Sequence, residues 1–277
     1  MLFRSLVIRP ADLAWVNIAA HLRTLTEYWD LLRTLSVHRI NVRYRQTLLG
    51  VGWAMLQPLL MMVIFALIFS RLAGISSEGA PYPLFAYVAL LPWTFFATSV
   101  TNATGSLVNN AQLLKKVYFP REILPLTYVV AALFDFAIGL VALGALMAWF
   151  QVPPTASALY VVPLVLLLAL WAFAVSLLLS AVQVRWRDIG VALPMLVQIW
   201  MFVSPVIYPL SVVPASWRPL YLLNPVAGLI NAFRDVLLRG QPPDVTPLVY
   251  ASAVTAVVLP VAYLVFKRTE ATMADIV

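Results

Sequence analysis

Between residues 136 and 184 the chain runs 49 residues without a charged side chain. Soluble domains carry about 25% charged residues, against 10% here, with 63% hydrophobic residues and a mean hydropathy of +0.93. A helix crosses a hydrocarbon core of about 30 Å with about 20 residues, at about 1.5 Å each. The long run is therefore two spans, broken at Gln151-Val152-Pro153-Pro154, the first reaching back to about Leu124. Other uncharged stretches cover 46–70, 189–217 and 246–266, with a further apolar core near 83–104. The expected architecture is an all-α polytopic membrane protein with six transmembrane helices, near 49–70, 84–105, 124–150, 159–184, 189–209 and 247–266. The residue-by-residue alternation of a β-barrel is absent.

Charge decides orientation. The chain has 18 basic and 11 acidic residues, a net charge of +7. In a bilayer protein, basic residues beside the spans mark the cytoplasmic face. Alternate sides of the six spans carry 14 and 4 basic residues, so both termini are expected inside. No apolar core or cleavage site of a removable targeting segment is read in residues 1–23. The organisation expected is a cytoplasmic segment 1–48, a transmembrane domain 49–267 and a cytoplasmic tail 268–277.

Three segments are not spans. In 24–48, Leu25, Tyr28, Trp29, Leu32 and Leu35 recur at helical spacing, with Glu27, Asp30 and Arg33 opposite and Arg39, Arg43 and Arg45 following. This is an amphipathic interface helix, apolar face in lipid and basic side towards headgroups. In 106–123, the dibasic pair Lys115-Lys116 and the aromatic pair Tyr118-Phe119 are richer than a connector needs. In 211–247, Asn224-Pro225 is a helix start with its cap and first-position proline. Two short helices dipping into the outer leaflet fit that segment better than a long structureless loop.

Chemistry is hard to find. The glycine pairs Gly74/Gly79 and Gly139/Gly144 lack the Lys-Ser/Thr of a phosphate loop. His21 and His38 have no partner at metal spacing, and zero cysteines exclude thiol chemistry and disulfides. No catalytic residues and no metal ligands are expected, and no nucleic-acid partner. Asp135 is the one acid inside an expected span. Such a residue is either functional or neutralised against a neighbouring helix, and both readings stay open. The aromatic residues Trp93, Phe96, Trp200, Tyr208, Trp217 and Phe233 belong either to interfacial belts or to a channel or gate where rings stack on sugars.

The ordered motifs carry a resemblance. They are Val42-Arg43-Tyr44-Arg45-Gln46-Thr47 running into Leu49-Gly50-Val51-Gly52-Trp53, then Gln57-Pro58, Leu91-Pro92-Trp93-Thr94-Phe95-Phe96, and Leu114-Lys115-Lys116-Val117-Tyr118-Phe119-Pro120-Arg121-Glu122-Ile123. Ser204-Pro205-Val206-Ile207-Tyr208-Pro209, Asn224-Pro225 and Phe233-Arg234 complete the set. Together they resemble the membrane subunit of type-2 ABC exporters of cell-surface polysaccharide, the O-antigen, capsule and teichoic acid permeases. The resemblance implies an inner-membrane homodimer working with two copies of a separate ABC ATPase, which would hold the ATP and Mg2+. It implies a coupling helix at about 106–120, with Asn109, Asn110, Lys115, Lys116, Tyr118, Phe119, Arg121 and Glu122 serving ATPase coupling and Phe119 a buried anchor in that contact. The segment 211–240 would be a gate hairpin. The substrate implied is an undecaprenyl-linked polysaccharide, whose diphosphate head would meet Arg39, Arg43 and Arg45, since guanidinium groups give bidentate, charge-assisted bonds to phosphate. Membrane lipids are the other expected partner of those arginines. A type-2 permease for drugs or lipids shares the architecture, and a membrane-embedded glycosyl- or phosphotransferase would need acidic metal ligands.

Overall fold

The computed structural model describes residues 27–276, and every regular element among them is helical. The readings on residues 1–26, namely the missing targeting segment, His21 and the start of the amphipathic helix, lie outside the described residues. Helix α1 (Trp29–Tyr44) precedes α2 (Trp53–Phe65), which is entered through a 3-10 turn at Gly50–Gly52 and widens into a π-helical stretch over Ala66–Leu72. Helix α3 (Tyr82–Thr104) returns, and short α4 (Ser106–Asn109) and α5 (Ala111–Lys116) lead into α6 (Ile123–Trp149). Then follow α7 (Val161–Arg185), α8 (Asp188–Val203), α9 (Arg218–Leu222), α10 (Pro225–Leu237) and α11 (Val245–Ile276). One end of the bundle carries α4 and α5, the other α9 and α10.

Five stretches are long and apolar enough to cross a bilayer: Gly50–Leu72, Tyr82–Thr104, Ile123–Trp149, Ala156–Arg185 and Val245–Glu270. They overlap five of the six expected spans. The span expected over 189–209 is shorter. Helix α8 has 16 residues, about 24 Å of rise, less than a core of about 30 Å. It stops because Ser204 precedes Pro205. The proline ring pushes the residue before it out of the helical region, and Ser204 is extended, with φ −97° and ψ 145°. The break between α6 and α7 falls where expected: Gln151 takes the left-handed φ of 57° just before Pro153-Pro154. Helix α11 continues past Lys267 without interruption, so residues 268–276 extend the last span as helix.

Helix α3 is the axis of the bundle. Its span is 78% buried, against 17% for the spans of α2 and α11. Small side chains let neighbours approach it, as is usual where helices pack without a hydrophobic drive between them. The closest approach is at Gly139 of α6, where a Cβ would overlap the Leu91 side chain. There the Tyr87 hydroxyl donates to the Gly139 carbonyl at 3.2 Å. A large apolar cluster surrounds α3. A smaller one gathers Leu32, Leu114, Phe119, Ile123, Phe266 and Met273 at the α5 end.

That smaller cluster changes the expected role of α1. Leu32 is buried in it, with Tyr28 and Leu35 packed against it, while Trp29 is 61% exposed. Tyr28, Leu32 and Leu35 of the apolar stripe thus face the rest of the chain, while Trp29 faces outward. Further along, Arg39 and Arg43 turn towards α6, because the polar groups that satisfy them are there.

Gly139→Leu is expected to push α3 from α6 and break the Tyr87 bond. Overpacking of this kind costs roughly 1–3 kcal/mol, visible as a lower melting temperature of the purified protein in detergent. Gly144→Leu is the control, since a Cβ at Gly144 meets nothing within 4 Å, and its melting temperature should not move.

Candidate functional site

Asp135, isolated in the sequence, has two partners. Arg43 Nη1 forms an ion pair with its Oδ2, and the Tyr44 hydroxyl donates to Oδ1 at 2.5 Å. Burial, reinforced by the bond to Asp135, raises the Tyr44 phenol above its ordinary pKa, so Tyr44 stays a donor. One turn earlier, Arg39 Nη2 donates to Asn110 Oδ1 at 2.6 Å, and its guanidinium sits 4.4 Å from the Tyr128 ring centre. Tyr128 and Asp135 are both on α6, so α1 lies along the first half of that helix. Arg45 faces outward and is exposed. The three arginines grouped in the sequence therefore split: Arg39 and Arg43 face the protein, Arg45 does not.

Arg43, Tyr44 and Asp135 form one side of a cleft of about 480 Å³ between α1, α2, α3 and α6. Opposite them, Thr94, Thr98 and Asn102 recur every fourth residue along one face of α3. Trp53, Gln57 and Pro58 of α2 close a third side.

At the α5 end, the residues grouped as coupling residues also divide. Asn109, Lys115 and Lys116 are exposed, and Tyr118 is 90% exposed. The two lysines occupy the last turn of α5, the end where cations suit the helix dipole. Asn110 is spent inside the chain, accepting from Arg39 and donating to the Ser106 carbonyl at 2.6 Å. Phe119 is only 4% exposed and belongs to the smaller cluster. It is an anchor of this chain's own core. Arg121 Nη1 donates to the Glu270 carbonyl at 2.6 Å. Buried Glu122 accepts from Lys267 Nζ at 2.9 Å, and the same ammonium reaches Glu270 at 2.8 Å. The segment after α5 is thus clamped to α11.

At the other end, Arg234 is one of the four basic residues on the poorer side, yet it is 1% exposed. Its Nη1 donates to the carbonyls of Pro205 and Tyr208 at 2.7 and 3.2 Å, and Nη2 to that of Val206 at 2.8 Å. The guanidinium stacks 3.6 Å from the centre of the Phe85 ring. A signal was available: Arg234 shares a helix face with Ile230 and Leu238, where an exposed charge would not be placed. Asn224 caps α10 through Val226 N at 3.2 Å, accepts from Trp200 Nε1 at 3.2 Å and donates to Ser204 Oγ at 2.9 Å. Arg239 bridges Asp235 and Glu78, and Ser211 donates to Glu78 at 2.6 Å. Partial burial works against the Glu78 carboxylate, but Ser211 and Arg239 hold its pKa below the ordinary value.

The aromatic candidates fare unequally. Trp93, Phe96 and Phe233 are buried in the core of one chain, in ring contact with one another's neighbours: Phe96 meets Trp200 at 5.0 Å and Phe233 meets Phe136 at 6.2 Å. Their rings are consumed by packing, which removes them from any surface a passing molecule could touch. Tyr208 pairs with Tyr221 at 2.8 Å. Trp217 is exposed.

The family model for the ABC-2 type transporter matches residues 30–238. The chain belongs to the ABC-2 transporter family. It is 34% identical over 258 residues to the O-antigen export system permease protein RfbA of Myxococcus xanthus, covering 91% of this chain and 97% of that protein. Identity to an RfbA permease of Klebsiella pneumoniae is 27% over 76% of this chain and 82% of that protein. To the polysialic acid transport protein KpsM of Escherichia coli it is 22%, over 87% and 94%. As an ABC-2 family member the chain is a multi-pass membrane transport subunit, not itself an enzyme. The family match spans α1 to α10, so it contains the cleft, the α5 segment and the Arg234 staple, and leaves out Lys267 and Glu270 on α11.

In this ABC-2 protein, Arg234→Leu is expected to orphan two buried carbonyls, each costing roughly 1–3 kcal/mol when unsatisfied, and a partly buried one at Tyr208. The measurements are the melting temperature in detergent and protease cleavage within 204–224, which should accelerate. Arg234→Lys, which lacks the planar fork, should fall between wild type and Arg234→Leu.

Proposed function

We propose that this chain is the membrane subunit of an ATP-driven exporter that carries a lipid-linked polysaccharide across the inner membrane, through a passage between two copies of the chain. The observation that carries this reading is the near full-length likeness to permeases named for O-antigen export and polysialic acid transport. ATP and Mg2+ belong to an ABC ATPase, two copies per exporter, that docks on the α5 end. In support, α5 presents Lys115 and Lys116 outward, Tyr118 is exposed just after it, and the segment that follows is clamped to α11 through Arg121 and Glu122. A push on an element so braced moves helices rather than bending a loop.

The substrate's polyprenyl tail stays in lipid while its diphosphate head approaches from the cytoplasmic leaflet, where Arg45 is exposed and Arg39 and Arg43 lie deeper. The 211–240 segment, stapled by Arg234, stands at the outer mouth and works as the gate. In this reading both termini and the α5 end are cytoplasmic, which the excess of basic residues on that side supports, and α8 together with the irregular segment after it makes the sixth crossing.

Deleting the chain in its source cell should abolish surface polysaccharide and leave lipid-linked glycan in the inner leaflet; an unchanged surface polymer would overturn the reading. Lys115→Glu with Lys116→Glu should block export while the protein still inserts and melts normally, with the ATPase either lost from the purified complex or hydrolysing ATP without transport. Normal export in that variant removes the case for α5. Orientation is testable without background, since the chain has no cysteine. Single cysteines at the exposed Ser76 and Ser216 should react with an impermeant maleimide in whole cells, and one at the exposed Thr34 should not.

A further inference from the structure

The cleft between α1, α2, α3 and α6 has one charged wall and one hydroxyl wall, and the second is unused. Thr94, Thr98 and Asn102 make no side-chain hydrogen bond inside the chain among the described residues. At about 1.5 Å per residue they span about 12 Å of α3. Asn102 lies two residues from the α5 end of that helix, so the wall starts at headgroup depth and runs into the bilayer. Polar groups left without partners at that depth are costly, and a row of three on one face is not needed for packing. The volume, about 480 Å³, falls within the range of small-ligand sites, about 300–1,000 Å³.

Across from this row, Arg43 is already occupied. Asp135 holds it, and Tyr44 holds Asp135. A carboxylate and a phosphate oxygen present the same acceptor to a guanidinium, but a diphosphate brings two charges where Asp135 brings one. When a diphosphate takes Arg43, Asp135 is left as a buried acceptor with only Tyr44 donating to it. Sugar hydroxyls are the donors that would then complete its shell, and they face the α3 row at the same time.

We propose that the cleft binds the diphosphate–sugar junction of a lipid-linked glycan, with Asp135 standing in for the phosphate in the empty protein and turning to the first sugar's hydroxyls when the phosphate displaces it. This rests on the reading of the substrate given above. It assigns a task that reading does not: discrimination between a polyprenyl diphosphate bearing a sugar and one without. Arg43 binds the charge common to both; Asp135, Thr94, Thr98 and Asn102 read the sugar.

The test uses the full chain in complex with its ATPase in nanodiscs. Affinities are measured for undecaprenyl diphosphate, for the same lipid carrying a disaccharide, for dipalmitoyl phosphatidylglycerol and for free pyrophosphate. Wild type should prefer the glycosylated lipid. Arg43→Gln should weaken both diphosphate lipids by about tenfold or more, the scale of a lost charge-assisted bond. Asp135→Asn should tighten the bare lipid, because the internal competitor is gone, and so shrink the preference for the sugar. Thr94→Val with Thr98→Val leaves the ion pair untouched; it should weaken only the glycosylated lipid, and it serves if the Asp135 variant does not fold. Equal binding of phosphatidylglycerol or of free pyrophosphate would overturn the site as a junction reader. So would a wild-type preference for sugar that neither the Asp135 nor the threonine variant alters. Failure of wild type to bind either diphosphate lipid, in contrast, would sink the substrate reading itself.

Discussion

Arg234 is the interaction on which the α10 end of the molecule depends. After Val203 the chain leaves helical geometry at Ser204-Pro205, and the carbonyls of 205, 206 and 208 lose their helical partners. In water such carbonyls would be solvated; in or near hydrocarbon each needs an internal donor. A guanidinium has five N–H groups spread over a rigid plane, so one arginine can reach three carbonyls along the segment, whereas a lysine's three donors all sit on one nitrogen. Because Arg234 also stacks on Phe85, it fixes the irregular segment to α3, the axis of the bundle. Asn224 performs the same service on a smaller scale, joining Ser204, Trp200 and the first turn of α10.

From that staple, rigidity passes to the far end along α11. Gly228 of α10 sits so close to Pro247 that a Cβ would come within 3.2 Å of its backbone oxygen, and α11 then runs unbroken to Ile276. At its other end Lys267 and Glu270 grip Glu122 and Arg121. The irregular regions after α8 and after α5 are therefore both tied, the first through α10, to the same continuous helix. That continuity gives a physical path by which a load on α5 reaches the α10 end. The attachment at α10 is steric and the one at α5 is ionic.

Much of this was legible in the sequence because bilayer spans are written in charge gaps. The breaks at Gln151–Pro154 and the Asn224 cap followed from local backbone rules, which depend on neighbours a few residues away. What was not legible were partners. Arg43 and Asp135 are 92 positions apart, and nothing in either neighbourhood announces the other. The apolar stripe of α1 was visible, but lipid and protein core are equally apolar, so the stripe could not say which one covers it. Phe119 looked like a surface anchor for the same reason. The length of α8 was readable in principle from Ser204-Pro205; the uncharged run extending to residue 217 masked it.

Partner assignment also sharpens the orientation argument. A count of basic residues treats every charge alike, although a charge satisfied inside the chain does not interact with lipid headgroups as an exposed one does. Of the four arginines on the α10 side, three are bonded within the chain: Arg218 to the Val213 carbonyl, Arg234 to its three carbonyls and Arg239 to Asp235 and Glu78. Among the described residues, only Arg71 there is exposed with no bond inside the chain. On the α5 side Arg33, Arg45, Lys115, Lys116, Arg185, Arg187 and Arg268 are all exposed. Internal pairing therefore subtracts more from the poorer side than from the richer one, in proportion. A smaller share of the poorer side's cations is left free to reach anionic headgroups, which favours the same orientation.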